Sequence, residues 1–196
     1  MFLLGTPLLL GTLMLATSCS TGRGTGEISG SLQGLDCGEL DVPDYALEPS
    51  FFSGEVTANQ LNIRIQRGSD FESFADGLSI QVRDVNDVRQ NRIGLPIEIG
   101  DGPDALVEVV AYFNESCAAG FPSQYRMRPL IMEASAGTIV FESVYAPDID
   151  AGSTGIRATL TDVVFVDRDV PELRSAQLSG DFAFFYQRGG PAQRFP

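Results

Sequence analysis

The sequence predicts an all-β fold, an antiparallel sandwich or barrel-like domain of about nine strands with one short helical turn. Three observations carry that prediction. Leu61-Asn62-Ile63-Arg64-Ile65 alternates apolar and polar residues without error, as do Leu78-Ser79-Ile80-Gln81-Val82 and the run from Ala176 to Tyr186. A period of two puts every second side chain on one buried face. The apolar runs are short and are separated by clusters of Gly, Pro, Asp and Ser, the residues of turns. Helical signals are thin, and the best of them is one stretch described below.

In chain order the strands are expected at 27–34, 51–58, 61–67, 78–83, 105–113, 125–133, 137–145, 155–166 and 176–186. The helical turn is expected over Ser69-Asp70-Phe71-Glu72-Ser73-Phe74-Ala75-Asp76-Gly77. There Ser69 and Glu72 have capping-box spacing and Gly77 is placed to end the turn. A second, weaker turn follows Pro171. Ser29-Gly30-Ser31-Leu32, Ser53-Gly54-Glu55-Val56 and Ser179-Gly180-Asp181-Phe182 each place a glycine in phase with the apolar residue two positions on. Such a glycine weakens a strand but lets an aromatic ring or a backbone approach closely. Along 156–165 the apolar phase switches from Ile156, Ala158 and Leu160 to Val163 and Phe165, which predicts a bulge near Thr161-Asp162.

Ahead of the strands stands an uncharged apolar run, residues 2–16, interrupted by Pro7 and two glycines. As a helix of fifteen residues it would reach roughly 22 Å, short of a hydrocarbon core of about 30 Å. Its length suits a secretory signal better than a membrane span. It ends Leu15-Ala16-Thr17-Ser18-Cys19, small residues before a cysteine. This motif resembles the lipobox of bacterial lipoproteins, over the first tenth of the chain only. The resemblance implies that Cys19 is diacylated and becomes the new N-terminus, so that the protein is held to a membrane by lipid in the bacterial cell envelope. Ser20 rather than Asp after the cysteine implies the outer membrane. The competing reading is an ordinary secretory signal cleaved near Ala16 to Ser18. The expected organisation is a signal peptide over 1–18, a lipidated flexible leash over 19–26, where Ser, Thr and Gly dominate, and a single β domain over 27–196.

Composition narrows the chemistry. Acidic residues outnumber basic ones 26 to 13, for a net charge of −13. A chain so charged repels nucleic-acid phosphates, so no nucleic-acid partner is expected. Every basic residue is arginine, and histidine, lysine and tryptophan are absent. That removes the histidine general base, the imidazole metal ligand, the Schiff-base amine and the phosphate-loop lysine. With Cys19 assigned to lipid, Cys37 and Cys117 remain. An even remainder in an oxidising compartment predicts one disulfide between them.

Three acidic loops stand out: Asp101 with Asp104, Asp148 with Asp150, and Asp167 with Asp169 and Glu172. None supplies a full oxygen shell for Ca²⁺ in local sequence, and Asp-Ile-Asp-Ala-Gly at 148–152 has Thr159 where a calcium loop of the EF-hand type needs glutamate. Turn-capping aspartates are the expected role, with no metal, cofactor or catalytic residue assigned. The functional reading is an envelope-anchored, non-catalytic binding or structural β domain, with the protein or glycan partner unspecified. The alternative is a carboxylate-dependent hydrolase acting on envelope polysaccharide, because two acidic side chains suffice for that chemistry.

Overall fold

A computed structural model describes residues 20–34, 41–68, 75–114, 130–144, 155–169, 171–172 and 174–186. Ten strands form one antiparallel sheet: β1 Ser20–Gln33, β2 Asp41–Leu47, β3 Phe51–Thr57, β4 Gln60–Gln66, β5 Gly77–Val82, β6 Pro96–Glu98, β7 Val107–Phe113, β8 Leu130–Ser143, β9 Ile156–Asp167 and β10 Ser175–Tyr186. The fold is all-β, as the alternating pattern predicts. Of the two architectures left open, the sheet takes the barrel. Its path runs β10-β9-β8-β7-β5-β4-β3-β1, and β1 then pairs with β10 from Gly22↔Tyr186 to Gln33↔Ser175.

The register shows how steeply the strands are inclined. Thr21 stands opposite Ser53, Ser53 opposite Arg64, Arg64 opposite Ser79, and Ser79 opposite Val110. Val110 stands opposite Glu133, Glu133 opposite Val166, Val166 opposite Ser175, and Ser175 opposite Gln33. One circuit of eight strands therefore returns to β1 twelve residues beyond its starting point, from Thr21 to Gln33. A stagger of that size demands strongly tilted strands. The end where β1 begins is called the lower end below, and the end where it finishes the upper end.

Long strands must bend to follow such a surface, and their irregularities fall side by side. Register shifts occur in β1 between Gly30 and Leu32, in β10 between Leu178 and Gly180, and in β8 on both sides of Ala136. The bulge expected near Thr161-Asp162 is present: Asp162 has a positive φ of 49°, and its N–H donates to Ser179 Oγ at 2.9 Å. Gly137, with φ of +122°, lies against it; a methyl group there would be 2.6 Å from Val163 Cα. Bulges of this kind raise local twist and bend the sheet.

The interior is filled. Phe52, Phe141, Phe165, Phe182 and Phe184 are fully buried, as are Ile63, Ile80 and Leu160. A water-sized void lined by these side chains would leave them accessible surface, so the barrel encloses no ligand chamber among them. Phe184 stacks on Phe52 and on Phe182, with ring centroids 5.5 Å and 6.3 Å apart. Below them a short helical segment, α1, occupies Val85–Asp87 and widens to a π-type turn over Val88–Arg92. Asp84 caps it, accepting from the N–H groups of Asn86 and Asp87 at 3.1 Å and 3.0 Å. Its Val85 and Val88 are fully buried, so the segment stoppers the lower end.

Several expectations need correction. Residues 19–26 were expected as a leash, but from Ser20 onward they belong to β1. A methyl group on Gly24 would be 2.9 Å from the Phe52 ring, and one on Gly26 would be 3.0 Å from Phe182 Cβ. Those glycines leave room for the close approach of β10, whose Ala183 and Asp181 carbonyls and Phe184 and Phe182 Cβ atoms lie against them. Gly30 and Gly180, expected to admit a ring or a backbone, admit the neighbouring backbone across the β1–β10 seam. The helical turn lies at 85–92; of the expected 69–77 stretch, residues 69–74 fall outside the described residues, and Gly77 starts β5. Strands expected at 125–133 and 137–145 are one bent strand, β8, with residues 125–129 outside the described residues. β2 and β6 were not anticipated.

Candidate functional site

The lower end concentrates the exposed apolar surface. Four large hydrophobic side chains among the described residues stand out as exposed: Phe185 at 60%, Leu95 at 54%, Ile131 at 49% and Ile93 at 41%. Three of the four are at the end where β1 begins. Phe185 sits near the end of β10, on its outer face, opposite Arg23 of β1 in register. Ile93 and Leu95 flank Gly94 in the turn after α1, and the Gly94 N–H donates to the Phe141 carbonyl of β8 at 2.9 Å. Ile131 lies near the start of β8, at the opposite end.

Beside Phe185 is a shallow depression of about 330 Å³, floored by Gly155 and Ile156 and edged by Glu142, Arg157 and Phe185. Gly155 is required there, because a methyl group would meet the Phe184 carbonyl and lie 3.2 Å from the Phe185 ring. Arg157 pairs loosely with Glu142 at 3.6 Å, both well exposed. A pair so solvated contributes little to stability. Nearby, Asp87 accepts from Asn91 Nδ2 at 2.9 Å and from Arg92 Nε at 2.6 Å. Those two hydrogen bonds, with the guanidinium charge, hold its carboxyl below the ordinary aspartate range.

A larger open groove, about 590 Å³, follows the outer face of the bend. Ser29, Ser31, Gln177 and Ser179 line it, with Asp44 and Asp162 as its carboxylates. Both aspartates are exposed, and Gln177 Nε2 donates to Asp162 Oδ1 at 3.4 Å. A hydrolase of the two-carboxylate type needs one carboxyl kept protonated by burial or a like-charged neighbour. Solvated aspartates on an open groove lack the first of these.

At the upper end a buried polar set ties four strands together. Tyr45 Oη donates to Asp76 Oδ2 at 3.2 Å, Tyr112 Oη donates to Gln66 Oε1 at 3.0 Å, and Asn114 Nδ2 donates to the Ala75 carbonyl at 3.2 Å. Sequence reasoning missed it. The sequence carries no local signal of it, because Gln66 falls at a polar position of the β4 alternation and only the fold buries it.

The residues singled out in the sequence are distributed as follows. Cys19, Cys37 and Cys117 lie outside the described residues, as do Asp148 and Asp150. Asp101 and Asp104 are exposed in the connection between β6 and β7 at the lower end. Asp167 is buried at the upper end of β9, accepting from the Asp169 N–H at 2.7 Å and from Arg174 Nη1 at 3.0 Å. That is a turn-closing role. Among the described residues no three metal-ligating side chains converge. No protein-family profile, curated protein or solved structure matches this chain.

Proposed function

We propose that this protein is an envelope lipoprotein: a closed, solid β-barrel tethered to a membrane through a diacylated Cys19, with a non-catalytic binding or structural role. The observation that carries the reading is Ala16-Thr17-Ser18-Cys19 placed directly before a folded domain. A filled interior and solvated groove carboxylates support a role performed by the outer surface rather than by an enclosed reaction chamber. The outer membrane is the expected location, from the resemblance of Ser20 to the sorting residue of such proteins.

The test is metabolic labelling. Expressed in a bacterial host, the chain incorporates radioactive palmitate and partitions into detergent, and Cys19→Ser loses both properties. Palmitate incorporation that persists in Cys19→Ser overturns the reading.

A further inference from the structure

We infer that the barrel does not hang free of its tether but rests on the bilayer, with the outer surface of β8–β10 and the 93–95 turn seated in the lipid interface. The inference rests on the lipoprotein reading and adds an orientation to it. The geometry begins with the tether. β1 starts at Ser20, the residue bonded to Cys19, and Arg23, four residues after Cys19 in the chain, stands opposite Phe185. Four residues of strand span about 13 Å, and strand tilt shortens that distance along the barrel axis. Acyl chains on Cys19 would therefore bring Phe185 down to the depth of the headgroups.

The other exposed apolar residues of this end lie beside the neighbouring strands. Following the register outward from Phe185 leads across β9 at its first residues to the last residues of β8. There the Phe141 carbonyl holds the Gly94 turn, from which Ile93 and Leu95 project. Phe185, Leu95 and Ile93 thus share the lower flank of the barrel, and β1 begins at the same end. Arg157, exposed between them and only loosely paired, is placed to meet phosphate. Single exposed apolar residues are ordinary on a protein surface; three of four gathered beside the lipid attachment are not.

Charge fixes the kind of surface. The chain carries −13 overall, and Asp101 and Asp104 project from the same end, so an anionic bilayer would be repelled. Contact is therefore apolar and suits a zwitterionic surface. The anchor makes the contact intramolecular, so a few side chains suffice where the untethered domain would not bind.

The chain contains no tryptophan, so one introduced residue reports alone. Full-length Phe185→Trp and Ile131→Trp proteins are purified with their lipid and reconstituted in zwitterionic phosphatidylcholine vesicles, with and without brominated acyl chains. Palmitate incorporation is measured on the same preparations. The expected result is blue-shifted emission quenched by brominated lipid for Phe185→Trp, and solvent-like, unquenched emission for Ile131→Trp. Equal, solvent-like emission from both variants in palmitate-labelled protein overturns the docking alone. Absence of palmitate overturns the tether, and the docking with it.

Discussion

Replacing Gly180 by alanine should loosen the seam that closes the barrel. Gly180 sits in β10 at a register shift, pressed against β1. A methyl group there would fall within the contact distance of the Glu27 carbonyl oxygen and 2.6 Å from Ile28 Cα. Both atoms are backbone, so no side chain can turn aside; β1 and β10 must separate by roughly 1 Å, since carbon atoms prefer about 3.5–4 Å. Overpacking of this kind costs about 1–3 kcal/mol. Each ladder hydrogen bond weakened beside it adds about 0.5–1.5 kcal/mol. About 3 kcal/mol in total is a large share of a domain's 5–15 kcal/mol. At roughly 2–4 °C per kcal/mol for a domain of this length, the melting temperature falls by about 6–12 °C. The control is Gly102→Ala in the β6–β7 connection, where an added methyl meets nothing within 4 Å. It should change stability by less than about 0.5 kcal/mol. Circular-dichroism melts of the two variants beside the unaltered protein decide the matter. If Gly180→Ala melts with Gly102→Ala, the β1–β10 seam is not closed as described.

Other outcomes follow from the same structure. The Asp87 carboxyl should titrate below an ordinary aspartate in a carbon-detected NMR series, because Asn91 and Arg92 hydrogen bonds favour its charged form. With its folded value depressed, its contribution to stability is present above the unfolded value and is lost as pH falls through the folded one. Arg92→Gln should move the titration upward. Truncating Asp167 to alanine removes acceptors for the Asp169 N–H and for Arg174, and should cost about 1–3 kcal/mol in a denaturant titration. Reading Cys37 and Cys117 as one disulfide, closing a loop of about 80 residues, predicts no free thiol from this pair in unreduced exported protein and a loss of about 2–4 kcal/mol on reduction. Two alkylatable thiols before reduction would refute the pairing.

The fold class was legible because β4, β5 and β10 repeat an uninterrupted period of two with large apolar residues inward. β1 carries the same period less visibly: Gly22, Gly24, Gly26, Ile28, Gly30 and Leu32 alternate with polar residues. A glycine-rich run reads as flexible when taken by composition, yet here the alternation of glycine with Thr, Arg and Glu marks a strand that β10 approaches closely. The stopper helix was also written in the chain, as Asp84 before Val85 and Val88 at helical spacing, but five residues of π-type turn make a weak period. β8 was divided in two because Ala134, Ala136 and Gly137 carry little apolar signal through its bend. The bulge at Asp162 was legible, since an apolar run that changes phase can keep both halves facing the core only by inserting an extra residue. The lower apolar flank was not, because Ile93, Leu95 and Phe185 are far apart in sequence and meet only through the register of β8, β9 and β10. Nor was the upper polar set, whose members come from β2, β4, β7 and the segments beside β5 and β7.

The tether is tested most directly by the intact mass of the protein recovered from the envelope of a lipoprotein-processing bacterial host. Lipidation at Cys19 predicts a chain of residues 19–196, heavier than its sequence mass by a diacylglyceryl group, with a further acyl chain if the new amine is acylated. A chain beginning between Thr17 and Cys19 at its unmodified sequence mass would contradict it, identifying residues 1–18 or fewer as an ordinary secretory signal and Cys19 as a bystander.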